Sequence, residues 1–181
     1  MIPNAAQALA LHKKYASNDR IVSHCKACAR LSALLIEEAS KNGQSLNAEA
    51  AVAAALLHDI GRTQTQLVTH GYVGARLLEK EGVDKVVVEI VRRHVGAGIS
   101  EEEARQLGFP PGDYVPGTLE EKIVCFSDKM LDGDKARPLE EEVKRFVKKG
   151  HDVERLKKLK QDVSAAIGTD ADSFVLSKSK Q

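Results

Sequence analysis

AALLHDIGRTQTQLVTHG, residues 54–71, begins as a segment made for burial and ends in polar groups. His58 and Asp59 stand side by side after an Ala/Leu run, Gly61 breaks the pattern, and His70 follows soon after. Read backwards, residues 47–59 form a helix capped by Asn47 and stopped at Gly61. Burying a carboxylate without a partner costs several kcal/mol or shifts its ionisation. The segment is therefore either a helix with an ordinary polar end or one wall of a metal site.

Helical periodicity extends in both directions. Residues 21–41 read as a long amphipathic helix closed by Asn42-Gly43. A helix over 69–81 stops at Gly82. Residues 84–94 hold three consecutive valines, which suit a strand, but Val87, Ile90, Val91 and His94 share one face at helical spacing, and helix is favoured. Ser100 and an acidic first turn open a helix over 100–108. FPPGDYVPG is a Pro/Gly loop long enough to rim an active site, and 118–131 is another capped helix. DGDKARP is a break, charged helices follow over 138–149 and 152–167, and residues 169–181 have too little apolar content to hold a fixed form. The fold expected is an all-α bundle with a core over 1–134, a packed C-terminal helical extension over 135–168 and a flexible tail over 169–181.

Composition narrows the function. Of 181 residues, 43% are hydrophobic and only 4% aromatic, with no Trp, which suits packed helices better than a β-sandwich. The net charge of +1 gives no global electrostatic case for nucleic acid or acidic membranes. The N-terminal residues lack the pattern of a signal peptide, no apolar run reaches membrane-spanning length, and three cysteines read as reduced thiols. A cytoplasmic protein is expected, monomeric or homodimeric.

The histidines carry the chemistry jointly. His24 shares a face with Cys28, Leu31 and Leu35; His58 extends the line of Ala51 and Ala54, and Asp59 that of Val52 and Ala55. His70 aligns with Val73 and Leu77, His94 with Ile90 and Val87, and Asp128 with Val124 and Leu131. Glu121, further back on the Asp128 stripe, suggests that this end of the helix reaches solvent. Four imidazoles and two carboxylates in a helical interior make sense around cations, which take the ring lone pairs and neutralise the carboxylates. The second His-Asp pair, His151-Asp152, reads as a helix cap among charges, Cys25 and Cys28 as core thiols, and the Lys-rich stretch near His151 as a solvated face.

The ordered set His24, His58-Asp59-Ile60-Gly61, His70-Gly71, His94 and Asp128 resembles the HD-domain superfamily of metal-dependent phosphohydrolases in its HDIG form, over residues 20–134. The words AAALLHDIGR, THGYVGARLL, VRRHVGAGI and IVCFSDKM fit the same pattern. The resemblance implies an all-α bundle with metals at its centre. By that analogy His24, His58, Asp59 and Asp128 hold one metal, and Asp59 bridges to a second held by His70 and His94. Imidazole with carboxylate suits Fe or Mn, with Zn, Co and Ni also compatible. Arg62, Arg93 and Lys129 flank ligands in sequence and are expected to bind substrate, with Asp59, Arg62 and Lys129 as the catalytic set.

The reaction expected is hydrolysis of a phosphoester or phosphoanhydride of a small nucleotide-like substrate by a metal-activated hydroxide, with no nucleic-acid or membrane partner. Members that split dinucleoside polyphosphates or open cyclic phosphates have a similar ligand order, whereas the doubled His of the cyclic-di-GMP branch is missing at His94. The alternatives are a dinuclear-iron oxygenase and a non-catalytic nucleotide-sensing module.

Overall fold

The computed structural model describes residues 1–179 and contains ten α-helices among them. In chain order they are α1 (Ala5–Lys14), α2 (Asp19–Lys41), α3 (Ala48–Leu57), α4 (His70–Lys80), α5 (Lys85–Arg93), α6 (Glu101–Gln106), α7 (Leu119–Lys129), α8 (Leu139–Lys149), α9 (Val153–Ile167) and α10 (Ala171–Lys178). A two-residue antiparallel ribbon, β1 (Leu131–Asp132) and β2 (Lys135–Ala136), lies where a break was expected after α7. No described helix is long and apolar enough to cross a membrane.

The bundle is organised around α3. Seven of its ten residues are buried, five of them alanines. A helix apolar on every side must be surrounded, and α3 packs against α1, α2, α5 and α7. The small alanine side chains let those neighbours approach closely. Side-chain caps set the starts of the flanking helices: Asn18 accepts from the Ile21 N–H at α2, Asn47 from Ala50 at α3, and Thr118 from Glu121 at α7. The valine-rich segment forms helix α5, with Val87, Val88, Ile90 and Val91 buried. Tertiary burial of that face decides between its two local readings.

Between α3 and α4 the chain makes one 3₁₀ turn, Ile60–Thr63. Helix α3 ends before Gly61, so this glycine does not act as its stop signal. Its role is close approach: a Cβ at Gly61 would collide with the His70 carbonyl oxygen and lie 2.5 Å from the Gly74 backbone N. The turn thereby sits directly on the start of α4.

Residues 5–14 form α1, an element the sequence reading did not assign, with Asn4 and Gln7 in a reciprocal capping box. Two expectations are corrected. Helix α10 occupies part of the expected tail; Asp170 caps it, and Ala171 and Val175 bury against the core. Glu121 does not reach solvent but is buried, accepting from the backbone N–H groups of Gly117 (2.6 Å) and Thr118 (3.2 Å). A single apolar cluster runs from Ala8 to Val175 and includes Phe146, Leu156 and Val163 of α8 and α9. A satellite cluster of Ile99, Ala104, Phe109 and Tyr114 holds the segment between α5 and α7.

Gly61→Ala is expected to lower unfolding free energy by about 1–3 kcal/mol or more, because backbone rather than a flexible side chain blocks the added methyl group. Chemical denaturation measures this, and an unchanged midpoint would show that the turn can move away from α4.

Candidate metal centre

Six side chains from five helices and the connecting turn meet at one point. His24 comes from the first half of α2, His58 caps the C-terminus of α3, and Asp59 precedes the 3₁₀ turn. His70 opens α4, His94 caps α5 and Asp128 lies in the last turn of α7. His58, Asp59, His70 and His94 are buried, and His24 and Asp128 are partly so.

The two oxygens of Asp59 face different partners. Oδ2 lies 3.9 Å from Nε2 of both His24 and His58. Oδ1 lies 3.2 Å from His70 Nε2 and 3.6 Å from His94 Nε2. Asp128 Oδ1 completes the first group, 2.9 Å from His24 Nε2 and 3.6 Å from His58 Nε2.

Backbone carbonyls fix the orientation of all four imidazoles. The Nδ1 atoms lie 2.6 Å from Gly133 O for His24, 2.8 Å from Ala55 O for His58, 2.8 Å from Leu67 O for His70 and 2.7 Å from Val91 O for His94. A carbonyl accepts and cannot donate, so each Nδ1 carries a proton and each Nε2, once deprotonated, is the atom free to bind a cation. The Nε2 atoms face each other, with 3.1 Å between His24 and His58 and 3.1 Å between His70 and His94. Asp59 Oδ1 is buried with no hydrogen-bond partner. Opposed lone pairs beside an orphaned carboxylate oxygen fit a divalent cation, since ligands about 2 Å from one ion lie about 3–4 Å from each other.

The charges follow from this crowding. Burial would raise the Asp59 carboxyl, but His58, His70 and His94 hold it well below the usual carboxylate range. Burial acts the same way on Asp128 and is outweighed by Lys129, His24 and His58. For His58 burial opposes protonation, yet the Cys25 and Cys28 sulfurs and the Asp59 and Asp128 carboxylates raise its pKa well above normal. His24 is raised too, by Asp128 against burial. Burial wins at His94, which falls to about 4 and stays neutral.

The expected cations occupy different places. Arg62 Nε holds Asp59 Oδ2 at 2.7 Å, and Lys129 Nζ holds Asp128 Oδ2 at 2.6 Å. Both therefore steady ligand carboxylates. Arg93 points elsewhere: it pairs with Glu89 (3.2 Å) and with buried Glu121 (3.3 Å), tying α5 to the start of α7. His12 escaped the sequence reading. It is buried, with Nε2 2.7 Å from Leu56 O and Nδ1 2.7 Å from Ser17 Oγ, and supports the end of α3 from below. Its place on the stripe with Ala8 and Leu11 was the available signal. The three cysteines are buried free thiols.

Two cavities adjoin the centre. One of about 580 Å³ is lined by Arg62, His70, Asp128 and Lys129 and by residues at the end of α8 and the start of α9, with His151 between them. Its rim runs over Val95–Ile99 and α6, not over the Pro/Gly loop expected to form it. The other, of about 680 Å³, lies on the His24 side, and Arg62 and Gln66 border both.

An all-α bundle with a central imidazole–carboxylate cluster suited to a divalent metal defines the class. A model of the HD domain family matches residues 21–175, and the chain belongs to that family. The match continues through α8 and α9, beyond the 20–134 span of the expected resemblance. A tRNA (cytidine(56)-2'-O)-methyltransferase of Thermoplasma volcanium is 44% identical over 176 residues, 96% of this chain and 51% of that protein. A protein of the same name from Picrophilus torridus is 39% identical over 96% of this chain and 50% of its own length. An uncharacterised protein of Methanocaldococcus jannaschii is 40% identical over 143 residues, 79% of this chain and 84% of that protein. The chain thus spans about half the length of the two named relatives. No solved structure matches it significantly.

These relatives overturn two expectations. A phosphohydrolase was expected, but the named relatives are RNA methyltransferases. A small nucleotide-like substrate without nucleic acid was expected, but their names specify tRNA. The net charge of +1 does not exclude such a partner, because it averages over the whole surface, whereas a nucleic-acid contact depends on local charge.

Metal affinity is expected to fall with acidification from above the ordinary imidazole value of 6.5, because His24 and His58 keep their protons to higher pH than a free imidazole. The sign follows from competition: a ligand must lose its proton to bind, so binding near neutral pH releases protons. Calorimetry in buffers of different ionisation enthalpy checks this. Binding without proton release would be inconsistent with the charge pattern.

Proposed function

We propose that this chain is a metal-holding HD module of tRNA 2'-O-methylation, acting in the cytoplasm on the tRNA that a methyl-transferring unit modifies. The observation that carries the reading is identity along 96% of this chain with one half of proteins named tRNA (cytidine(56)-2'-O)-methyltransferase. The metal centre adds a chemical reason. Two divalent transition metals, Fe or Mn, would be held by His24, His58, Asp59 and Asp128 on one side and by Asp59, His70 and His94 on the other. Two such ions would outweigh the charges of Asp59 and Asp128 and make the centre, which lines a cavity through His70 and Asp128, positive. A ribose–phosphate backbone is attracted to such a centre, with Arg62 and Lys129 holding the carboxylates in place.

In this reading methyl transfer belongs to the half of the relatives that this chain does not span. Nothing in a buried imidazole–carboxylate cluster suits a methyl donor; it suits cations, and through them the anionic backbone of the acceptor RNA.

The purified chain loaded with Mn²⁺ or Fe²⁺ should bind a tRNA transcript containing cytidine 56 and should not methylate it when given a methyl donor. Gel shift and methyl-incorporation assays read the two outcomes. A metal-loaded chain with no affinity for tRNA would refute the reading, and full methylation by the chain alone would place the transfer reaction inside the bundle.

Asp59→Ala should abolish loading of both metals, because each carboxylate oxygen faces one ligand group. Elemental analysis gives the answer directly, and a variant retaining both metals would end the bridging assignment.

A further inference from the structure

The four imidazoles of the metal centre are not held alike. His58, His70 and His94 each meet the carbonyl oxygen of a residue three positions earlier, Ala55, Leu67 and Val91. Their orientation is settled as soon as the local turn forms. His24 lies inside α2, where carbonyls are already engaged in the helix ladder, so its ring needs an acceptor from elsewhere. It finds Gly133 O at 2.6 Å, across 109 positions of sequence. Packing also holds this ring least: its side chain keeps 15% exposure, against 0%, 6% and 1% for His58, His70 and His94.

Gly133 and Asp134 form the two-residue loop between β1 and β2. Gly133 takes φ +60° at the first loop position, a conformation that hairpin loops of this length commonly ask of a glycine. Ser23, the neighbour of His24, donates its hydroxyl to Asp134 Oδ2 at 3.0 Å, and β1 packs against α2. At the base of the ribbon buried Arg137 donates to Glu142 at 3.0 Å and ties it to α8. The loop borders the 680 Å³ cavity together with His24 and Asp59, so it stands on the open side of the centre.

We infer that this loop is the positioning element for one of the two metal positions, the one formed by His24, His58, Asp59 and Asp128. Gly133, Ser23 and Asp134 set the affinity of that position without touching the metal. The inference rests on the two-position reading of the centre given above. The other position, Asp59 with His70 and His94, has both rings fixed locally and does not depend on the ribbon. Outer partners of a metal-binding imidazole fix its ring and its tautomer. Without the Gly133 carbonyl, the His24 ring is free to turn or to move its proton to Nε2, and either change removes the ligand atom.

The test titrates the whole chain with Mn²⁺, with free ion read by electron paramagnetic resonance. Gly133→Pro forbids the positive φ, since the proline ring fixes φ near about −65°, and so turns the carbonyl away. Position 133 is exposed and a Cβ there meets nothing within 4 Å, so circular dichroism should match wild type. One of the two Mn²⁺ equivalents should weaken by about 10–100-fold while the other keeps its affinity. Ser23→Ala should weaken the same equivalent by about two- to tenfold, and Ser23→Thr, which keeps the hydroxyl, should restore it. Wild-type affinity for both equivalents in Gly133→Pro overturns the inference, as does equal weakening of both, which would mark a general loss of structure. A wild type that takes up a single Mn²⁺ refutes the two-position reading instead. The role of the loop is then upheld if that equivalent weakens in Gly133→Pro and overturned if it does not.

Discussion

The structure depends on four imidazoles whose Nε2 lone pairs are turned toward one another around a single buried carboxylate. The facing Nε2 atoms lie 3.1 Å apart, so that without their second protons their lone pairs would repel, and Asp59 Oδ1 has no donor of its own. The fold accepts this arrangement because every ring is fixed from behind by a backbone carbonyl. Three of those carbonyls lie three residues before their histidine; Ala55 O and Val91 O lie in the last turns of α3 and α5, where a carbonyl lacks its usual partner, and Leu67 O, just before α4, also accepts the His70 backbone N–H. Helix ends thus orient the ligands, and a divalent cation resolves the repulsion they create.

Holding the ends of α3, α4 and α5 at one point is a packing problem. The alanine-rich α3 allows close neighbours, and the glycine at position 61 lets the 3₁₀ turn sit against the backbone of α4. Buried His12 braces the Leu56 carbonyl, two residues before His58. Arg93, with Glu121, pins the end of α5 to the start of α7, which delivers Asp128. The polar groups that looked available for substrate therefore divide into those that steady the centre and those that steady the scaffold.

Charge is arranged by place and not by total. The overall charge is +1, and the main cavity carries both signs: Arg62, Lys129, Arg145, Lys149 and Arg155 line it together with Glu103, Asp128, Glu142 and Asp152. Arg155 of α9 donates to Gly98 O (2.7 Å) and Glu103 (2.8 Å), fastening the Val95–Ile99 rim and α6 to the C-terminal helices. This contact draws the Glu103 carboxyl down to about 2: burial alone would raise it, but Arg155 and Ser100 prevail. The cavity wall is consequently a joint product of the middle of the chain and its C-terminal helices.

The sequence by itself determined the helical class, most helix boundaries and the six candidate ligands. Periodicity, caps and the order His24, His58-Asp59, His70, His94 and Asp128 are local or linear properties, and local chemistry writes them directly into the chain. It could not show that α10 packs, that Glu121 is buried or that Arg93 faces away from the cavity, because each depends on a partner distant in sequence. At Val86–Val88 the helical spacing of Val87, Ile90, Val91 and His94 outweighed the strand propensity of three valines, and α5 packs against α3 and α4 as that spacing implied. Only the tertiary structure brought Lys149 and Leu107 to the cavity that Asp128 also lines, since neither spacing nor composition records which surfaces a folded bundle turns toward one another.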